Sequence, residues 1–107
     1  MGIDVKEELQ QFNSSFEEII SAFDVKPCDK EMIRVKYSQL KAAIDDKIKA
    51  LEKRKNESRE IETFYLPALR GTIGHLKVKT NGKVDQHLLD SLMDARVDID
   101  YALRGLK

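Results

Sequence analysis

Val5-Lys6-Glu7-Glu8-Leu9-Gln10-Gln11-Phe12-Asn13-Ser14-Ser15-Phe16-Glu17-Glu18-Ile19-Ile20-Ser21-Ala22-Phe23 decides the fold class. Val5, Leu9, Phe12, Phe16, Ile19 and Phe23 recur at alternating intervals of four and three, which places all six on one stripe of an α-helix; a half-buried strand would need an interval of two. Asp4, Glu7 and Glu8 complement the positive end of the helix dipole, and Pro27 stops the helix soon after Phe23. The first helix is therefore expected at about residues 3–23.

The same period continues outward from this segment. Asp29 is a good N-cap for a helix over 29–54 with the stripe Ile33, Tyr37, Leu40, Ile44, Ile48 and Leu51. The following run, Glu52 to Glu60, has no apolar residue, and Asn56 and Ser58 suit a turn and a cap. A third stripe, Ile61, Phe64, Tyr65, Ala68, Leu69, Ile73 and Leu76, predicts a helix over 58–77 with a kink at Pro67, which has no amide hydrogen to donate. Gly71 and Gly74 each cost about 1 kcal/mol in a helix interior, which makes this the weakest of the four helices. Thr80-Asn81-Gly82-Lys83 reads as a turn, with a minimal Val78/Val84 hairpin as a marginal variant. Asp85 then caps a helix over 85–105 with the stripe Leu88, Leu92, Ala95, Ile99, Leu103 and Leu106 and Gly105 as C-cap.

Four segments of similar length predict an all-α protein, an antiparallel up-and-down four-helix bundle forming a single domain over 1–107. The alternative fuses the second and third helices into one long bent helix, which would need a second chain to cover it. Ala-Leu-Arg-Gly occurs at 68–71 and again at 102–105, but the flanks do not agree at that offset, so no helical repeat is read.

Composition narrows the function. Cys28 is the only cysteine, which rules out an intrachain disulfide and a four-cysteine zinc site. No stretch approaches the ~18 apolar residues of a membrane span, and the charged start of the chain does not resemble a secretory leader, so a cytoplasmic protein without membrane contact is expected. A di-metal bundle site needs Glu-x-x-His, whereas Thr72 precedes His75 and Val84 precedes His87 at that spacing. The Cys28 thiol lies near a helix start but has no local base to activate it. No phosphate loop, dinucleotide fingerprint or serine elbow is present. The reading is a non-enzymatic protein without metal or other cofactor.

Charge and the last helix give the remaining signals. The neutral total hides a bipolar chain: one basic against six acidic residues over 1–25 (−5), and eleven against six over 26–59 (+5). The basic residues Lys47, Lys49, Lys53, Arg54, Lys55 and Arg59 could neutralise phosphates, though acids are interspersed and no aromatic is interleaved for base stacking. The last helix carries a second apolar row, Leu89, Met93, Val97 and Tyr101, beside a ladder of Asp90, Asp94 and Asp98 that costs an isolated helix about 0.2–0.5 kcal/mol per adjacent pair. Either this helix is the most buried one and its aspartates meet lysines of a neighbour, or the row is a recognition surface. The leading expectation is a protein-interaction module, a small adaptor, regulator or inhibitor, binding a protein or a second copy of itself through the outer face of the last helix and the polarised charge. Nucleic-acid binding through 47–59 is the alternative.

Overall fold

The computed structural model describes residues 4–79 and 83–106. The protein is all-helical, a bundle of four helices: α1 (Val5–Ala22), α2 (Lys30–Glu52), α3 (Leu66–Lys79) and α4 (Gln86–Gly105). The turn read at Thr80-Asn81-Gly82-Lys83, and with it the Val78/Val84 hairpin, lies outside the described residues except for its flanks.

The starts of α1, α2 and α4 follow one local rule. Asp4, Asp29 and Asp85 are all extended residues whose carboxylates accept hydrogen bonds from the backbone N–H three residues on, at Glu7 (3.0 Å), Met32 (3.0 Å) and Leu88 (3.2 Å). Each thereby satisfies an amide that the helix itself cannot. Between α2 and α3 the chain breaks: a 3₁₀ turn spans Lys55–Glu57, and Ser58 is extended, its hydroxyl accepting from the Glu60 N–H at 3.2 Å. The second and third helices are thus separate, which removes the fused-helix alternative.

Ahead of α3 the sequence expectation of a kink takes a specific form. Ile61–Tyr65 is a π-helical turn, closed by the Leu66 N–H reaching the Ile61 carbonyl. Pro67 cannot donate to the Thr63 carbonyl and its ring would crowd that oxygen, so the wider turn places the distortion just before the ring. The extra residue also widens the buried arc, with Tyr65 and Leu66 both in the core. Eight of the sixteen residues from 61 to 76 are buried, against six of the twenty in α4. The helix that looks weakest by propensity is therefore the one most enclosed by its neighbours.

Cross-helix pairs fix the directions. Glu8 pairs with Lys47 (3.1 Å) and Glu18 with Lys36, so α2 descends as α1 rises. Glu52 pairs with Arg70 at 3.3 Å, and the buried Tyr37 hydroxyl donates to the Leu76 carbonyl at 3.2 Å, which sets α3 antiparallel to α2. Arg96 of α4 donates to Asn13 (2.9 Å) and to Glu17 (2.5 Å) of α1. Each helix packs on its neighbours in the chain, and α4 closes the ring on α1. Acidic α1 is thus tied by ion pairs to the basic second helix, and part of the sequence's charge asymmetry is neutralised inside the fold.

The α3–α4 contact is the most extensive of these. The two Ala-Leu-Arg-Gly tetrapeptides explain why. Ala68 and Ala102 are both buried, and a Cβ on Gly71 would stand 2.9 Å from Asp98 Oδ2, while one on Gly105 would stand 2.6 Å from Phe64 Cε1. The glycine of the first tetrapeptide admits a side chain of α4, and that of the second admits the ring of Phe64, in the turn just ahead of α3. Gly105, expected as a C-cap, is instead the last residue of α4, and Leu106 follows it as the cap. At the centre of this interface the buried Thr72 hydroxyl donates to the Ala95 carbonyl at 3.0 Å.

At one end of the bundle Tyr65, fully buried, donates to Glu8 Oε1 at 2.6 Å, the same oxygen that Lys47 approaches. Burial, with the Glu8 hydrogen bond second, pushes the Tyr65 phenol well above its ordinary range.

Candidate interaction surface

The core stripe of α4 and its second apolar row lie on different sides of the helix, and the fold covers only the first. Leu88, Leu92, Ala95 and Ile99 are buried, whereas Met93, Val97 and Tyr101 are 50%, 62% and 79% exposed. Leu89, at the N-terminal end of the row, is half-buried. Among the described residues, the other large exposed apolar side chains, Val25, Met32 and Val35, lie around the start of α2 and do not form a row of this length.

The aspartate ladder is split by the packing. Asp90 is exposed and accepts from Gln86 Nε2 at 2.9 Å, and Asp94 is half-buried at the edge of the row. Asp98 turns towards α3, where the absent side chain of Gly71 leaves room for its carboxylate. Its Oδ2 lies 3.2 Å from His75 Nε2, out of hydrogen-bonding alignment, and among the described residues nothing donates to that buried oxygen. Beside it, between α3 and α4, opens a cavity of about 290 Å³ walled by Phe64, Pro67, Ala68 and Tyr101, with Asp98 and Gly105 also at its surface. Tyr101 thus belongs both to the exposed row and to this cavity. The sequence marked Asp98 and Tyr101 as surface candidates but gave Phe64, Pro67 and Gly105 only structural roles, because no periodicity links residues on elements that meet only in space.

Half of the basic segment is paired within the chain. Lys47 pairs with Glu8, Lys49 with Asp45 (4.0 Å) and Arg54 with Glu57 (2.7 Å); Lys53, Lys55 and Arg59 are exposed. The Arg54 hydrogen bond holds the Glu57 carboxyl below its ordinary range and raises the guanidinium in turn. Cys28 is half-buried, its thiol 3.8 Å from the Ala22 carbonyl oxygen that it faces. His87 is exposed. Among the described residues no group of three or more His, Cys, Asp or Glu side chains is placed to hold a metal ion, and no helix is long and apolar enough to cross a membrane.

A second depression, of about 700 Å³, runs between α1 and α2 over Phe12, Ile19 and Leu40. It accounts for Phe12 being only partly buried despite its place in the α1 stripe. The Glu8–Lys47 and Glu18–Lys36 pairs cross it, and Asp4 and Glu7 also line it, so its rim carries more acid than base.

Comparison of the chain with known protein families, with curated proteins and with solved structures gave no match.

Proposed function

We propose that the protein is a non-enzymatic interaction module, a small adaptor, regulator or inhibitor, that engages a protein partner or a second copy of itself through the outer face of α4. The observation that carries this reading is the exposure of Met93, Val97 and Tyr101 in one row at intervals of four on a helix whose opposite side fills the core. Single exposed apolar residues are ordinary on a protein surface. A regular row ending in a tyrosine is the composition that interface centres favour, with methionine supplying an adaptable contact and tyrosine an anchor. The nucleic-acid reading has less behind it, since three of its six basic side chains are held by acids of the same chain.

The test is a Val97→Lys/Tyr101→Ser double variant compared with the unaltered chain. Both positions are exposed, so helicity and stability should change by no more than about 0.5 kcal/mol. Quantitative pull-down from the source cell, together with sedimentation at low and high salt, should show one retained species, or a dimer, that the variant loses. Collapse of the fold would place the row in the core, and identical binding and mass profiles would remove the α4 face from the function.

A further inference from the structure

We propose that the outer face of α4 is a self-recognition surface on which two copies of the chain pair antiparallel about a two-fold axis at Val97. This rests on the α4 reading above and commits it to one partner, a second copy. Apart from Gln86 and His87 at its start and Gly105 at its end, the exposed residues of α4 are Asp90, Met93, Val97, Tyr101 and Arg104. Their spacing of three, four, four and three reads the same in both directions from Val97. The two ends carry opposite charge. A surface that meets its own copy across a two-fold axis must be self-complementary, with residue i against j and j against i.

With two α4 helices laid antiparallel and Val97 on the axis, Met93 of each copy comes level with Tyr101 of the other, about 6 Å from the axis at 1.5 Å per residue. Asp90 comes level with Arg104 in the same way, about 10 Å from the axis. A methionine sulfur beside an aromatic ring is a favourable contact, and an Asp90–Arg104 ion pair closes each end. Asp90 already accepts from Gln86 and Arg104 already donates to Asp100, but both are exposed contacts within one helix, and a guanidinium has donors for two carboxylates. Asp94 and Asp100 come level as well. They lie about 60° to either side of Val97, at about 100° per residue, so they fall on opposite edges of the helix pair. Parallel pairing would instead set Asp90 against Asp90 and Arg104 against Arg104. A foreign partner would need a base and an acid at this same separation on either side of an apolar centre, and α4 read backwards has that layout.

The experiment is sedimentation equilibrium of the intact chain from about 10 μM to about 1 mM, with far-UV circular dichroism to establish that each variant keeps its helices. The unaltered chain should approach the dimer mass at the upper end. Asp90→Arg and Arg104→Asp each set like charges against one another at both ends and should each raise the dimer dissociation constant about tenfold or more. The double variant Asp90→Arg/Arg104→Asp should return it to within about threefold of the original. In a Cys28→Ser background, Val97→Cys should cross-link to itself on oxidation and Arg104→Cys should not, since only a residue on the axis meets its own copy. A chain that is monomeric at 1 mM, or a dimer that the double variant fails to restore, would overturn this inference and leave the α4 face standing for another partner, which the pull-down above detects. A dimer and a pull-down that are both unchanged in Val97→Lys/Tyr101→Ser would sink both.

Discussion

Replacing Tyr65 by Phe removes a single hydroxyl whose surroundings allow its contribution to be worked out. In the native chain it donates to Glu8 Oε1 at 2.6 Å from a fully buried ring. Hydrogen bonds to charged groups are worth about 1.5–3 kcal/mol. Glu8 keeps Lys47, and its side chain is 27% exposed, so water can replace part of what is lost and the lower figure, about 1.5 kcal/mol, applies. With an unfolding entropy near 2.1 cal/mol/K per residue, the 107-residue chain should lose roughly 7 °C in Tm. The same substitution has a pH signature. The folded phenol is held above its ordinary value, chiefly by burial, while the unfolded one titrates near 10. Above that pH the unfolded chain binds fewer protons than the native one, so native stability falls as pH rises, by about 1.4 kcal/mol at pH 11. Tyr65→Phe lacks this loss. Urea denaturation of both proteins from pH 8 to 11 should therefore show a gap of about 1.5 kcal/mol that shrinks almost to nothing at pH 11. A gap independent of pH, or no gap at pH 8, would refute the assignment of Tyr65 as a buried donor to Glu8.

The glycines separate by what faces them. Gly74→Ala meets nothing within 4 Å and should stabilise the protein by about 0.5–1 kcal/mol, whereas Gly105→Ala collides with the Phe64 ring and should fail to stabilise it, a contrast that thermal melts resolve. Phe16→Ala, at a fully buried position of α1, should cost about 3–5 kcal/mol and move the urea midpoint accordingly; a loss under about 1 kcal/mol would mean that α1 is not integral to the core.

Much of the bundle was legible before any coordinates. The α2 stripe is buried at all six of its positions, and the Asp29 and Asp85 caps and the break near Ser58 stand where local rules place them. These features depend on residues within a turn or two of one another, and side-chain period and capping are properties of that range. The candidate surface was half legible. Periodicity established that Met93, Val97 and Tyr101 share a face, but a face has no address until its neighbours are known, and whether this one was core or surface depended on where α1 and α3 lie.

The sequence by itself determined four amphipathic helices, the capped starts of the second and fourth, and an acidic first segment next to a basic second one. The tertiary structure alone decided what the weak points of α3 are for. Propensity counts Gly71 and Pro67 as costs, yet Gly71 admits the Asp98 carboxylate, and the π-helical turn before Pro67 brings Tyr65 and Leu66 together into the core. The partners of these residues lie on other helices, up to 57 residues away in the case of Glu8, and pairing over such distances is set by packing rather than by local preference.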